Sequence, residues 1–175
     1  KKDIKTRITV DSFDQEYPDI SGRYVVWADY RHGPWNLDIY MYDLKTEEIA
    51  QITTAPGNQT KPRISGNTIV WHDFRDGTGS ADIFMYDIKT KEETRLTNDA
   101  ISQGYPVVSG DKIAWQDNTN DGATDVVLYD IKTGEKTWMT SGDGFTQSQL
   151  AIDKNRAVWL DYRNGFPDIY MAEWK

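Results

Sequence analysis

Four glutamines, Gln15, Gln59, Gln103 and Gln147, stand at equal spacing, since 59−15, 103−59 and 147−103 each give 44. A side-chain amide offers donors and an acceptor together. Four amides at one mouth of a ring could therefore hold a polar ligand, and the competing use is for each to bond the backbone of its own loop. A second candidate lies in "DNTNDGATD", where Asp117, Asp121 and Asp125 recur every fourth residue with a turn glycine between them. That spacing matches the opening of a Ca²⁺ loop, although Leu128 stands where the closing glutamate belongs. Ca²⁺ is the one cofactor the sequence suggests, and a plain solvated acidic loop is the alternative. Third, Trp35 and Phe166 lie in the equivalent loops of the first and last repeats, where the loops of the middle repeats carry no aromatic residue. An exposed aromatic pair of this kind would mark a contact patch.

Other constellations are better explained as scaffold. The phrase W-x-D-x-R places Trp, Asp and Arg on one face of a strand, because side chains alternate with period two. The Asp that opens "DIY" or its equivalent (Asp38, Asp82, Asp125, Asp168) lies across the hairpin from them, so Arg31, Arg75 and Arg163 can meet nearby carboxylates in fork geometry. An Asp and an Arg side by side could do acid–base chemistry, but recurrence in three of four repeats marks a structural clasp. The third repeat breaks it, with Asn118-Thr119 where the others have Tyr or Phe followed by Arg. Only His32 and His72 are present, in non-equivalent positions, and there is no cysteine. No nucleophile–base spacing, phosphate loop or His-based metal motif is found, so catalysis finds little support.

These residues sit on a repeat. Trp27, Trp71, Trp115 and Trp159 are also 44 apart, as 71−27, 115−71 and 159−115 show, and Pro18, Pro62 and Pro106 keep the step, with Leu150 in the fourth place. A fixed period of roughly 20–50 residues signals a repeat architecture. Within the first copy, turn signals separate four short strands: one near Pro18–Ile20, then "RYVVWADY", "DIYMYDL" and "IAQIT". The second and third are apolar at consecutive positions and need cover on both faces, while the fourth is more polar. Four-stranded sheets stacked around an axis provide that environment, so the fold is all-β, a four-bladed β-propeller of 44-residue repeats. The single domain, 1–175, divides into blades 11–54, 55–98, 99–141 and 142–175 plus 1–10. Arg7-Ile8-Thr9 matches Gln51-Ile52-Thr53, so the N-terminus is expected to supply the strand that the last copy lacks and to close the ring. The rival is a strand exchanged between chains, giving a larger ring or assembly.

The phrase "P-x-I-S-G-x-x-V-V-W-x-D-x-R-x-G … D-I-Y-M-Y-D-L-K-T" resembles the TolB-type propeller repeat, in the version found in secreted and cell-surface proteins of bacteria and archaea. The likeness runs over essentially the whole chain. It implies an extracellular, cell-surface or periplasmic location and a fold that serves binding, assembly and, less often, catalysis. The family usually carries six or more blades, and this chain has four copies.

Formal net charge is −8, and no Lys/Arg block stands out among the 20 basic residues. That argues against nucleic acid or an anionic membrane as partner. The longest apolar runs are far too short to insert in a membrane. With 7 Trp and 10 Tyr, aromatic packing should carry much of the core. Asn58-Gln59-Thr60 forms a glycosylation sequon. The leading expectation is a non-enzymatic extracellular module for protein interaction or surface self-assembly. A lectin-like binder of carbohydrate is the alternative, and a hydrolase or lyase with a channel-mouth site is the weakest. Parity places the long, divergent loops on one rim, before each first strand and between each second and third, and that rim is the candidate functional face.

Overall fold

The computed structural model describes residues 4–77, 79–118, 122–142 and 144–174. Every regular element is a strand. Blade one comprises β1 (Gln15–Ser21), β2 (Tyr24–Asp29), β3 (Asp38–Asp43) and β4 (Glu48–Gln51). Blade two comprises β5 (Gln59–Ser65), β6 (Thr68–Asp73), β7 (Asp82–Asp87) and β8 (Glu92–Arg95). Blade three comprises β9 (Gln103–Ser109), β10 (Lys112–Asn118), β11 (Thr124–Asp130) and β12 (Lys136–Trp138). Blade four has β13 (Gln147–Asp153), β14 (Arg156–Asp161) and β15 (Asp168–Glu173). Each sheet is an antiparallel meander in chain order. The β1–β2 turn is tight because Gly22, at φ 58°, takes the left-handed backbone that such a turn requires.

The core lies between blades. Val26, Ala28 and Ile39 of blade one pack on Ile64, Ile69, Trp71 and Phe84 of blade two. Val70 and Ile83 of blade two meet Ile113, Trp115 and Val127 of blade three. Ala114, Val126 and Leu128 of blade three meet Leu150, Ala157 and Trp159 of blade four. Strands two and three are therefore covered on both sides, as their unbroken apolar runs demand. The wet outer strands are short, and all four residues of β4 are exposed.

One expectation needs correction. Residues 4–14 form no strand, and β15 pairs with β14 alone, so the fourth sheet has three strands. The N-terminal segment does not complete the last blade of its own chain. None of the three core clusters joins blade four to blade one. The outward faces of the first and last blades are left exposed at Ile20 and Ile169, so the four blades form an open arc.

Candidate functional site

The clasp builds the long-loop rim. Asp29 is fully buried at the end of β2, where Trp27 Nε1 donates to its Oδ2 at 2.9 Å. Arg31 completes a bidentate fork, Nε to Oδ1 at 2.9 Å and Nη2 to Oδ2 at 2.7 Å. Its guanidinium lies 4.0 Å from the centre of the Tyr40 ring. Blade two repeats this with Trp71, Asp73 and Arg75 over Phe84. Blade four repeats it with Trp159, Asp161 and Arg163 over Tyr170. The arginines thus grip the Asp two residues upstream on their own strand. Across the hairpin, Asp38, Asp82 and Asp125 sit in register with the clasp carboxylates and bond a threonine of the outer segment instead.

Electrostatics separate the clasps of blades one and four from the broken one. Hydrogen bonds from Arg163 hold the Asp161 carboxyl down at about 2. Asp117 has Trp115 but no arginine, and burial pushes its carboxyl above the ordinary value. Asp125 is buried and accepts from Thr140 Oγ1 at 2.9 Å. Asp121, the remaining member of the Ca²⁺ set, lies outside the described residues, and among the described residues no cluster of three metal-binding side chains forms.

The glutamines enter the innermost strands as their spacing predicts. Gln59, Gln103 and Gln147 are buried, and Gln15 is half-buried. Each amide nitrogen reaches its own blade: Gln15 to Asp11 and Phe13 O, Gln59 to Gly57 O at 3.1 Å, Gln103 to Ile101 O at 2.6 Å, and Gln147 to Asp161. The single proton of the Thr140 hydroxyl is shared between Asp125 Oδ1 at 2.9 Å and Gln147 Oε1 at 3.0 Å, while Gln59 Oε1 and Gln103 Oε1 are buried without a donor among the described residues. Trp35 and Phe166 are 82 % and 81 % exposed. They belong to blades one and four, which no core cluster joins.

Sequence reasoning missed a third ring. Each innermost strand breaks register once. At these breaks Tyr17, Lys61, Tyr105 and Gln149 take left-handed backbone, with φ of 55°, 51°, 52° and 51°. Non-glycine residues rarely adopt that region, and a bulge of this kind re-aims a side chain. All four line a cleft of about 700 Å³ along the inner strands, with Arg63 and Gln147. Lys61 Nζ lies 3.8 Å from the centre of the Tyr105 ring. The signal was present in the sequence, because 61−17, 105−61 and 149−105 again give 44. Behind the cleft, His72 is buried and accepts the Tyr105 backbone N–H through Nε2. Burial, helped by the charge of Lys61, pushes its pKa down to about 3, so the ring is neutral.

Solved structures share this architecture. TolB from Acinetobacter baumannii aligns with a TM-score of 0.62 at 23 % identity, over 88 % of this chain and 42 % of that one. The β-propeller domain of the Trilobed protease from Pyrococcus furiosus, described as having an open velcro topology, aligns with a TM-score of 0.68 at 16 % identity, over 95 % and 56 %. A nidogen/laminin complex aligns with a TM-score of 0.56 at 15 % identity, over 82 % and 56 %. Prolyl endopeptidases and an oligogalacturonate lyase also match, so the fold is shared by enzymes and non-enzymes. The chain has a TolB-type β-propeller fold and spans about half the length of the TolB and Trilobed protease structures it matches. No protein-family model and no curated protein matches the sequence. Among the described residues no helix is long and apolar enough to cross a membrane.

Proposed function

We propose that the chain is a non-enzymatic, extracytoplasmic module that binds protein through its long-loop rim. The observation that carries this reading is the exposure of Trp35 and Phe166 on loops held by a buried Trp–Asp–Arg scaffold. Large aromatic side chains on a rigid frame are the usual anchors of protein interfaces. The recurring carboxylates are committed to clasps and threonine bonds, and His72 spends its free nitrogen on a backbone N–H. The nidogen/laminin match lends the protein-binding use a precedent in the same fold.

A photo-crosslinking residue at position 35 should give discrete protein adducts, and one at Thr46 on the opposite rim should not. Equal labelling from both positions, or turnover of peptide or oligogalacturonate substrates, would overturn the reading.

A carbohydrate ligand is the second reading, favoured by the cleft. Tyr17 and Tyr105 are exposed aromatic faces flanking Lys61. Such faces suit stacking on sugar rings, and the lysine and Arg63 suit a carboxylated one. Binding of acidic glycans on an array, lost in Tyr105→Ala, would favour this use of the cleft.

A further inference from the structure

Blade four presents to solvent a face that the other blades bury. Ile39, Ile83 and Val126, each directly after the recurring Asp of its third strand, are 0 % exposed beneath the following blade, whereas Ile169 at the same place in β15 is 73 % exposed. Met171, two residues on, is 60 % exposed, whereas its counterpart Leu128 is buried. At the other end of the arc, Ile20 of β1 is exposed, whereas its counterpart Ile64 is packed against blade one. These two faces are the two halves of the junction that the chain already makes three times inside itself.

Polar groups show the same missing half. Thr53, Thr97 and Thr140 each accept from the backbone N–H of the third strand (Ile39 at 2.8 Å, Ile83 at 2.9 Å, Val126 at 2.9 Å). Each donates in turn to the buried Asp beside it. Asp168 and Ile169 carry the same groups in β15, yet Asp168 is exposed and bonded only locally, to Asn164 at 2.9 Å. The matching threonine exists in this sequence ahead of blade one. Thr9 precedes Gln15 by the six positions that separate Thr53 from Gln59 and Thr97 from Gln103. At every internal junction the chain runs from the outer strand of one blade directly into the first strand of the next. A blade one seated on blade four would therefore carry residues 5–9 to the free edge of β15. A third bridge recurs at each junction: Ser21 Oγ to Gly66 N at 2.9 Å, Ser65 Oγ to Gly110 N at 3.0 Å, and Ser109 Oγ to Lys154 N at 3.1 Å. Asp153 holds the acceptor position in blade four, and Gly22 N is the corresponding donor.

We propose that a second copy of this chain seats its blade one on blade four of the first, head to tail. Residues 5–9 of the incoming copy add the missing outer strand, and its Thr9 closes on Asp168 and Ile169. Blades one and four of a single chain share no core cluster, and blade one of a second copy carries the strand and the threonine in the required register. An unpaired β15 edge is a template for such addition. Two head-to-tail junctions close a ring of eight blades, within the range of about 4–8 that propellers use, and heterologous contacts of this kind form rings when the rotation closes. The inference rests on the interaction reading above and names one partner for it. The two separate experimentally, because the end faces differ from the rim that Trp35 probes.

The test is mass by light scattering on the full chain over a wide concentration range. Wild type should show a dimer or a larger head-to-tail oligomer. Ile169→Asp and Ile20→Asp, both at positions exposed in the single chain, should each give folded monomers by circular dichroism. Mixing the two variants should restore a 1:1 dimer, because one sound tail then meets one sound head. A wild type that stays monomeric, variants that still associate, or a mixture that stays monomeric would each overturn the proposal. Protein adducts at position 35 with a monomeric chain would leave the interaction reading standing while the head-to-tail contact falls.

Discussion

His72 should make the protein lose stability on mild acidification. The ring occupies the slot that holds Ala28, Gln116 and Leu160 in the other blades, and it is buried against Tyr105 and Phe74. Burial and the Lys61 charge lower its folded pKa to about 3, against an ordinary 6.5 in the unfolded chain. Between those values the unfolded state binds a proton that the folded state refuses, so stability falls as pH falls. The contribution is complete above pH 6.5 and is lost progressively toward pH 3. Each pH unit is worth about 1.4 kcal/mol, so lowering the pH from 6.5 to 4.5 should remove about 2.7 kcal/mol. Urea denaturation at half-unit pH steps, in wild type and His72→Gln, measures this directly. Glutamine is the test residue because Gln116 already fills the equivalent slot in blade three. The variant should lack most of the slope above pH 4.5, where carboxylates contribute little to the difference between the two proteins. A variant curve parallel to wild type across this range would refute the buried, neutral histidine.

Other outcomes follow from the clasp, the acidic loop and the bulges. Arg75→Ala should lower stability by about 1–3 kcal/mol, since it leaves Asp73 buried without its fork, and it should leave crosslinking at position 35 unchanged. Loss of crosslinking at constant melting temperature would mean the clasp is itself a site. Millimolar Ca²⁺ should raise the melting temperature by mass action, and Asp121→Asn should abolish the shift. No change with Ca²⁺ would leave the third loop an ordinary acidic turn. Tyr105→Gly should release the left-handed backbone without unfolding blade three, so its melting temperature should stay near that of wild type. A large fall would show that the ring packs the core instead of facing the cleft.

Much of the fold was legible because the chain is its own alignment. The spacing of Trp27, Trp71, Trp115 and Trp159 gave the blades, and apolar runs such as "YVVWA" required cover on both faces. The Arg–Asp clasp followed from strand parity, and its absence in blade three is visible in the raised Asp117 carboxyl. Ring closure was not legible. It depends on how each blade packs on the next, and the Trp71 and Trp115 contacts recur with the same period whether the arc is open or closed. The bulge ring was written in the sequence at Tyr17, Lys61, Tyr105 and Gln149, but two tyrosines, a lysine and a glutamine do not read as one set, and only the backbone shows what they have in common. His72 reads as a lone histidine until its neighbours are known, since the burial that neutralises it comes from another blade. Spacing alone left open whether the amides of the four glutamines face ligand or loop; their amide nitrogens run to their own blades, and Gln147 Oε1 reaches back to Thr140 of blade three.

Disulfide trapping tests most directly whether another copy completes the exposed ends of the four-bladed arc. The chain contains no cysteine, so introduced thiols report without background. Met41 faces Ala50, Met85 faces Thr94 and Leu128 faces Thr137 across the outer strand pair. The same register sets Met171 opposite Thr6 of the incoming copy. Cross-strand neighbours of that kind lie within disulfide reach, with Cα atoms about 4.5–5.5 Å apart. Mixed and mildly oxidised, Thr6→Cys and Met171→Cys should form a covalent heterodimer, while neither alone gives a comparable product. A Thr6→Cys/Met171→Cys double variant that oxidises only within single chains, or a mixture that yields no heterodimer, would contradict completion by another copy.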